Sequence, residues 1–165
     1  MTRLRYGCAS RLLLQFARRF WQKRGRPKAF GTDLPTGAVW DGNEHQRGPK
    51  GILSFLAGGN ASKQLQQILD GEGHEGVLRR IEWMGKPSRI VAAHAVHWDH
   101  DPLSRGGYAY FDPSFAPLGR AWLARPAGRI LFAGEHTSVK SQGYMNGAIE
   151  SGLRAAAEIS ALAID

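Results

Sequence analysis

Arg129-Ile-Leu-Phe-Ala-Gly-Glu-His-Thr-Ser138, then after a short gap Gly143-Tyr-Met-Asn-Gly-Ala-Ile-Glu-Ser-Gly-Leu-Arg-Ala-Ala-Ala-Glu-Ile159, is the stretch that decides the fold. An apolar run of strand length, Arg129–Ala133, stops at Gly134-Glu135. A polar loop follows, and then a Gly-opened, Ala-rich segment predicts a helix over Tyr144–Leu162. The first amide N–H groups of a helix have no intrahelical partner and carry partial positive charge, which suits an anion. A carboxylate at a strand end accepts hydrogen bonds from a polyol. Together these make half of a cofactor site. The other half is not evident in the chain.

Working outward, Ala148, Ile149, Gly152, Ala155, Ala156 and Ile159 recur at helical spacing, and this small-residue face is expected to pack closely on a sheet or a cofactor. Upstream, Arg11-Leu-Leu-Leu-Gln-Phe16 fits a buried strand as easily as an amphipathic helix, and is taken as a strand. Arg18–Lys28 is a basic connection broken by Gly and Pro. Gly31–Gly48 is a loop with short extended pieces around Trp40. Gly51–Ala57 is a second strand, closed by Gly58-Gly59. Asn60 or Ser62 is expected to cap a helix running to about Leu69, with another short helix over Val77–Met84. Arg89–Trp98 holds enough β-branched residues for a strand. Trp98–Pro117 is a loop, and Leu118–Ala124 a short helix.

The chain has 165 residues, enough for one domain with a real core. No apolar run nears the ~20 residues that span a bilayer. The single cysteine, Cys8, cannot form an internal disulfide, which points to a reducing compartment, the cytoplasm. From Met1 to Lys28 there are nine basic residues (Arg3, Arg5, Arg11, Arg18, Arg19, Lys23, Arg24, Arg26 and Lys28) and no acidic one. Three readings compete: ordinary structure with a basic face, an Arg-rich mitochondrial presequence, and a nucleic-acid or acidic-surface patch. The interleaved Leu12, Leu13, Leu14, Phe16, Phe20 and Trp21 favour the first.

Two motifs mislead. Gly71-Glu-Gly-His-Glu-Gly76 has the spacing of a dinucleotide fingerprint, but a helical pattern precedes it, and Glu72 and Glu75 would repel a pyrophosphate. A Gly-rich loop between two helices is the expectation there. The six histidines match no zinc spacing. His94 and His97 lie three apart in a predicted strand and so point to opposite faces. No metal site is expected.

The segment Arg129–Ile159 resembles the C-terminal FAD-binding signature of flavin-dependent amine oxidases, the group of monoamine, amino-acid and polyamine oxidases. Trp98-Asp-His-Asp-Pro-Leu-Ser-Arg-Gly-Gly-Tyr-Ala-Tyr-Phe111 resembles the family segment beneath the flavin, and Arg11–Trp21 the substrate-domain strand ending in Phe-Trp. The resemblance implies an α/β fold: an incomplete FAD-binding part of Rossmann-like, glutathione-reductase type, and the trailing part of a mixed-sheet substrate domain. The division implied is 1–100 for the substrate domain and 101–165 for the FAD domain.

By the same resemblance, Gly134 and Glu135 contact the ribityl or phosphate region of FAD. Gly143, Tyr144, Met145, Asn146 and Ala148 approach the flavin ring, and Tyr108 and Tyr144 orient the substrate amine. Where covalent-flavin members carry a cysteine, this chain has Gly107, so FAD is expected to be held non-covalently. Where many members carry a lysine tied to oxygen reactivity, it has Arg11, the third residue expected at the catalytic site. Implied partners are an amine or amino-acid substrate and dioxygen or another electron acceptor. The N-terminal dinucleotide-binding unit of the family is not found in the sequence. The chain is therefore expected to be inactive alone, or to pair with a separate Rossmann chain as a subunit of a split oxidase. The reading from another class is a non-catalytic basic adaptor binding nucleic acid or an acidic partner; no membrane partner is expected.

Overall fold

The computed structural model describes residues 4–162; of the basic run, Arg3 lies outside them. In chain order the strands are β1 (Leu4–Tyr6), β2 (Ala9–Phe16), β3 (Ala29–Gly31), β4 (Ala38–Asp41), β5 (Gly51–Gly58), β6 (Ile90–His97) and β7 (Ala109–Phe111). The helices are α1 (Gly59–Arg80) and α2 (Met145–Leu162), with 3-10 turns at Glu82–Met84, Pro117–Ala124 and Glu135–Thr137. The chain divides into two compact units: Gly7–Gly107, and Met1–Tyr6 with Tyr108–Asp165.

The Gly7–Gly107 unit is built on a five-stranded sheet, in the order β3-β4-β5-β2-β6. Each of these four pairings is antiparallel, and an isolated parallel bridge joins Gly37 to Leu56. Alternation along β2 sends Leu12, Leu14 and Phe16 to a face covered by α1, where Leu53, Phe55, Leu65, Ile68 and Val77 complete a closed core. Burying each such side chain contributes about 1.5–3 kcal/mol. Arg11, Leu13 and Gln15 take the opposite face and stay half-exposed.

The basic segment is ordinary structure. Trp21 is buried against Phe16 and Phe20, edge to face, and its Nε1 donates to Asp41 Oδ2 at 3.2 Å. Arg19 donates to the carbonyls of Asn43, Gln46 and Lys50 and pairs with Asp41 at 3.4 Å. Arg26 donates to the Met84 carbonyl, and Lys28 pairs with Glu44 at 2.9 Å. Several of the cations that raised the adaptor reading are thus committed inside the unit.

One local expectation fails in α1. Its N-cap is Gly58, with no side-chain cap; Asn60 and Ser62 lie inside the helix. The Ser62 hydroxyl instead lies 2.6 Å from that of Ser10 on β2, which a buried inward position favours over a cap. The expected break between two helices is there but narrows to one residue: Gly73, at φ 62 and ψ −157, is non-helical, and Gly59–Arg80 is two helical stretches joined across that kink, the second carrying Val77.

His94 and His97 do take opposite faces of β6. His97 Nδ1 meets Ser10 Oγ at 2.7 Å, opposite it in the ladder, whereas His94 pairs with Leu13 on the open face.

In the second unit β1 pairs antiparallel with β7, and α2 packs on the Glu135–Thr137 turn. The strand expected at Arg129–Ala133 does not form; only an isolated bridge joins Ala127 and Ile130. A strand needs a ladder partner, and none of the described strands of this unit pairs with it. Arg154 takes over part of that duty, donating from Nη2 to the Phe132 carbonyl at 2.6 Å and from Nη1 to the Ala124 carbonyl at 2.9 Å.

The packed side of α2 also differs from the expected one. Gly147, Ser151 and Ala155 are buried, whereas Ile149 (64% exposed) and Leu153 (70%) are uncovered. The helix is rich in small residues all round, so composition alone does not point to the packed side. Among the described residues, no helix is long and apolar enough to cross a membrane.

Candidate flavin site

The site is assembled around Glu135, the first residue of a 3-10 turn. Gly134 ahead of it holds φ 140, a conformation that favours glycine. Glu135 Oε1 accepts from the Ala109 amide of β7 at 3.2 Å, and Oε2 from the Gly143 amide at 2.7 Å. One carboxylate therefore ties the strand that follows Tyr108 to the turn that precedes Tyr144. Gln142 adds a second tie, donating to the Ala109 carbonyl at 2.9 Å, and Arg120 holds Gln142 Oε1 at 2.7 Å.

The approach to α2 is equally fixed. Ser138 Oγ accepts from the Ser141 amide and donates to Glu150. Gly147 packs so closely on the Ser141 carbonyl that a Cβ there would overlap it. Ser151 receives the Gly134 amide at 2.8 Å and passes its own proton to the Ala148 carbonyl.

The turn ends at Gly143, φ 80, and α2 opens with no acidic residue in its first turn. The Gly147 and Ala148 amides reach back to the Tyr144 carbonyl, while those of Met145 and Asn146 have no acceptor among the described residues. Tyr144 (72% exposed), Met145 (84%) and Tyr108 (51%) present open side chains. Tyr6 lies 3.1 Å from His136 Nδ1, and partial burial, with the nearby Glu135 carboxylate, raises its phenol above the ordinary range.

The structure thus brings Gly134, Glu135, Gly143, Tyr144, Met145, Asn146 and Ala148 into one turn–helix element, with Tyr108 beside the tied strand. Arg11 belongs to the other unit, on the open sheet face. Sequence reasoning missed Gln142 and Ser151. Ser151 had a usable signal, one helical turn beyond Gly147 and on the same side.

The match to known proteins now decides the family. A family profile described as "Flavin containing amine oxidoreductase" covers residues 1–160. The chain belongs to the flavin-containing amine oxidoreductase family. FAD is the cofactor that goes with it. The putative L-amino-acid oxidase YobN of Bacillus subtilis is 30% identical over 96% of this chain and 34% of its own length. Flavin-containing amine oxidase B of Homo sapiens is 28% identical over 96% of the chain and 32% of its length. In structure, the cyclohexylamine oxidase of Brevibacterium oxydans superposes with a TM-score of 0.84 at 21% identity, over 99% of this chain and 37% of that one. The chain thus spans about a third of the length of the curated relatives it matches.

In this member of the family, Gly107 has a physical reason to be glycine. Its amide donates to the Gly7 carbonyl at 2.8 Å, and a Cβ there would overlap that of Ala9. A cysteine at this position would not fit without movement of β2.

Proposed function

We propose that this chain contributes the flavin-facing turn, and part of a substrate-binding sheet, to an oxidase that acts on the C–N bond of an amine or amino acid. The observation that carries the reading is the opening of α2, with free Met145 and Asn146 amides and exposed Tyr144, held in place by Glu135 through Gly143. These residues fit a flavin: an electropositive, uncapped helix end beside open aromatic and thioether side chains.

FAD, when bound, supplies the two-electron acceptor for a hydride leaving the carbon that bears nitrogen. The chain's own residues do the rest. The amino end of α2 stabilises negative charge developing beside it, at no cost in reorganisation because Glu135 and Gly147 fix the turn. Gly134 and Glu135 border the ribityl or phosphate region. The ring faces of Tyr108 and Tyr144 orient a neutral amine. Arg11 cannot release a proton at ordinary pH, so its part is charge and position. The crowding at Gly107 supports non-covalent attachment.

On this reading Gly7–Gly107 belongs to the substrate domain and the second unit to the FAD domain. The lone Cys8 supports a cytoplasmic setting, and dioxygen or another acceptor would regenerate the flavin. The chain alone would have little activity. The apolar 129–133 segment without a strand ladder and the uncovered apolar side of α2 support a need for further family structure, in the same polypeptide or in a separate Rossmann chain.

The test is an NMR titration of the purified chain with FAD. Amide signals of Gly134, Gly143, Tyr144 and Asn146 are expected to shift together. Saturating FAD without such shifts would overturn the reading. Retained yellow flavin with amine-dependent peroxide formation would overturn the claim of low activity.

A further inference from the structure

On the sheet face opposite α1, one charged side chain stands among apolar neighbours. Arg11 on β2 lies between Leu56 of β5 and Val96 of β6 in the ladder. Its guanidinium sits 4.7 Å over the ring of Trp40 on β4. Among the described residues it has no hydrogen bond and no carboxylate partner, although it is half-buried. Other partly buried arginines of the same unit are committed: Arg19 has four acceptor residues, and Arg80 pairs with Glu72.

A guanidinium carries five N–H donors in a rigid plane, and its planar edge matches the two oxygens of a carboxylate. Trp40 lies against the guanidinium carbon, and none of the donors has an acceptor among the described residues. Two residues along β2, on the same face and about 7 Å away by strand geometry, Leu13 borders a shallow hollow. It is lined also by Gln15, Ile52, Ala92 and His94, with a volume of about 170 Å³. An anion anchor and an apolar hollow at that spacing suit a ligand with a carboxylate at one end and hydrocarbon at the other.

We infer that Arg11, braced by Trp40, is a carboxylate anchor, and that the hollow beside Leu13 holds the hydrocarbon part of the same ligand. This makes the substrate class amino acids with apolar side chains, not simple amines. The inference rests on the proposed oxidase function for its meaning, but the binding it requires lies wholly within the Gly7–Gly107 unit and needs no flavin. A neutral or cationic ligand would leave the guanidinium edge unpaired. A bare inorganic anion would leave the hollow empty.

The experiment titrates the purified chain, without FAD, with 3-phenylpropionate, with its amine counterpart 2-phenylethylamine, and with inorganic phosphate, following backbone amide signals by NMR. The carboxylate is expected to shift Leu13, Ile52 and Ala92, and to bind at least ten-fold more tightly than either other probe. Arg11→Gln is expected to lose at least ten-fold of that affinity. Arg11→Lys, which keeps the charge and loses the fork, should lose three-fold or more; it carries the test if the glutamine variant does not fold. Equal binding of the amine or of phosphate, affinity unchanged in the folded variants, or no shifts with 3-phenylpropionate would each overturn the inference. FAD-induced shifts at Gly143–Asn146 read the oxidase proposal separately, so the two can fail independently.

Discussion

The Glu135 carboxylate accepts the Gly143 amide at 2.7 Å while its other oxygen accepts the amide of Ala109. Two backbone donors distant in sequence therefore depend on one side chain. Glu135→Ala would leave both without that acceptor. A lost charged hydrogen bond of this kind costs about 1.5–3 kcal/mol, and the urea midpoint should fall accordingly. Glu135→Gln keeps one acceptor but turns an NH₂ toward the other donor, so an intermediate loss is expected. Equal stability of wild type and Glu135→Ala would show that the tie holds nothing.

Gly107 and Ala9 can be tested as a pair. Gly107→Ala brings its Cβ into the Ala9 methyl and should destabilise by about 1–3 kcal/mol through overpacking. Ala9→Gly removes that methyl. The double variant should then recover part of the loss, giving a coupling above about 0.5 kcal/mol in a double-mutant cycle. Additive effects would mean that β2 moves away freely, and the physical case against a cysteine at 107 would fail with it.

Legibility in the sequence followed the range of the forces involved. β5 was readable because an apolar run of strand length closed by Gly58-Gly59 is a local signal, β2 only as one of two readings of a short apolar run, and α2 because its composition is strongly helical. The 129–133 segment has the same apolar pattern but forms no strand. Strand pattern is local while a ladder is not, and here the Phe132 carbonyl goes to Arg154 instead. Ser62 looked like a cap because serine often is one; its partner, Ser10, lies 52 residues away. In the candidate site, Glu135, Tyr144 and Met145 were singled out through family resemblance. The supporting bond of Gln142 was not, since nothing in a polar loop tells which polar residue faces inward; that of Ser151 had only the helical spacing from Gly147 to mark it. Trp40 stood out only as an apolar island, and its place over Arg11 depends on the register of β2, β5 and β4.

The kink in α1 separates two glycines that read alike. Gly71 is helical with open space around it, so Gly71→Ala should stabilise the chain by about 0.5–1 kcal/mol. Gly73, at φ 62 and ψ −157, occupies a region that side chains avoid. Gly73→Ala should cost about 1–3 kcal/mol although nothing lies within reach of its Cβ. Thermal melts of the two single variants should therefore move in opposite directions. Movement in the same direction would mean that the helix runs unbroken through residue 73.

Acid should weaken the Gly7–Gly107 unit through His97. Partial burial is the main cause holding its imidazole below the ordinary value, and His100 adds to it; Asp99 and Asp70 pull the other way without cancelling it. His97 Nδ1 lies 2.7 Å from Ser10 Oγ, which also accepts from Gln66 Nε2 at 3.2 Å and lies 2.6 Å from Ser62 Oγ. A protonated ring can only donate there, and so competes with Gln66 for the serine oxygen. The unfolded chain takes up this proton first, near pH 6.5. Stability carried by His97 is therefore full above that pH and declines as pH falls from there through the lower folded value. Urea midpoints should drop between pH 7.5 and 5.5, and His97→Gln, which cannot titrate, should flatten the slope in that window. The same slope in the variant would place the acid sensitivity elsewhere.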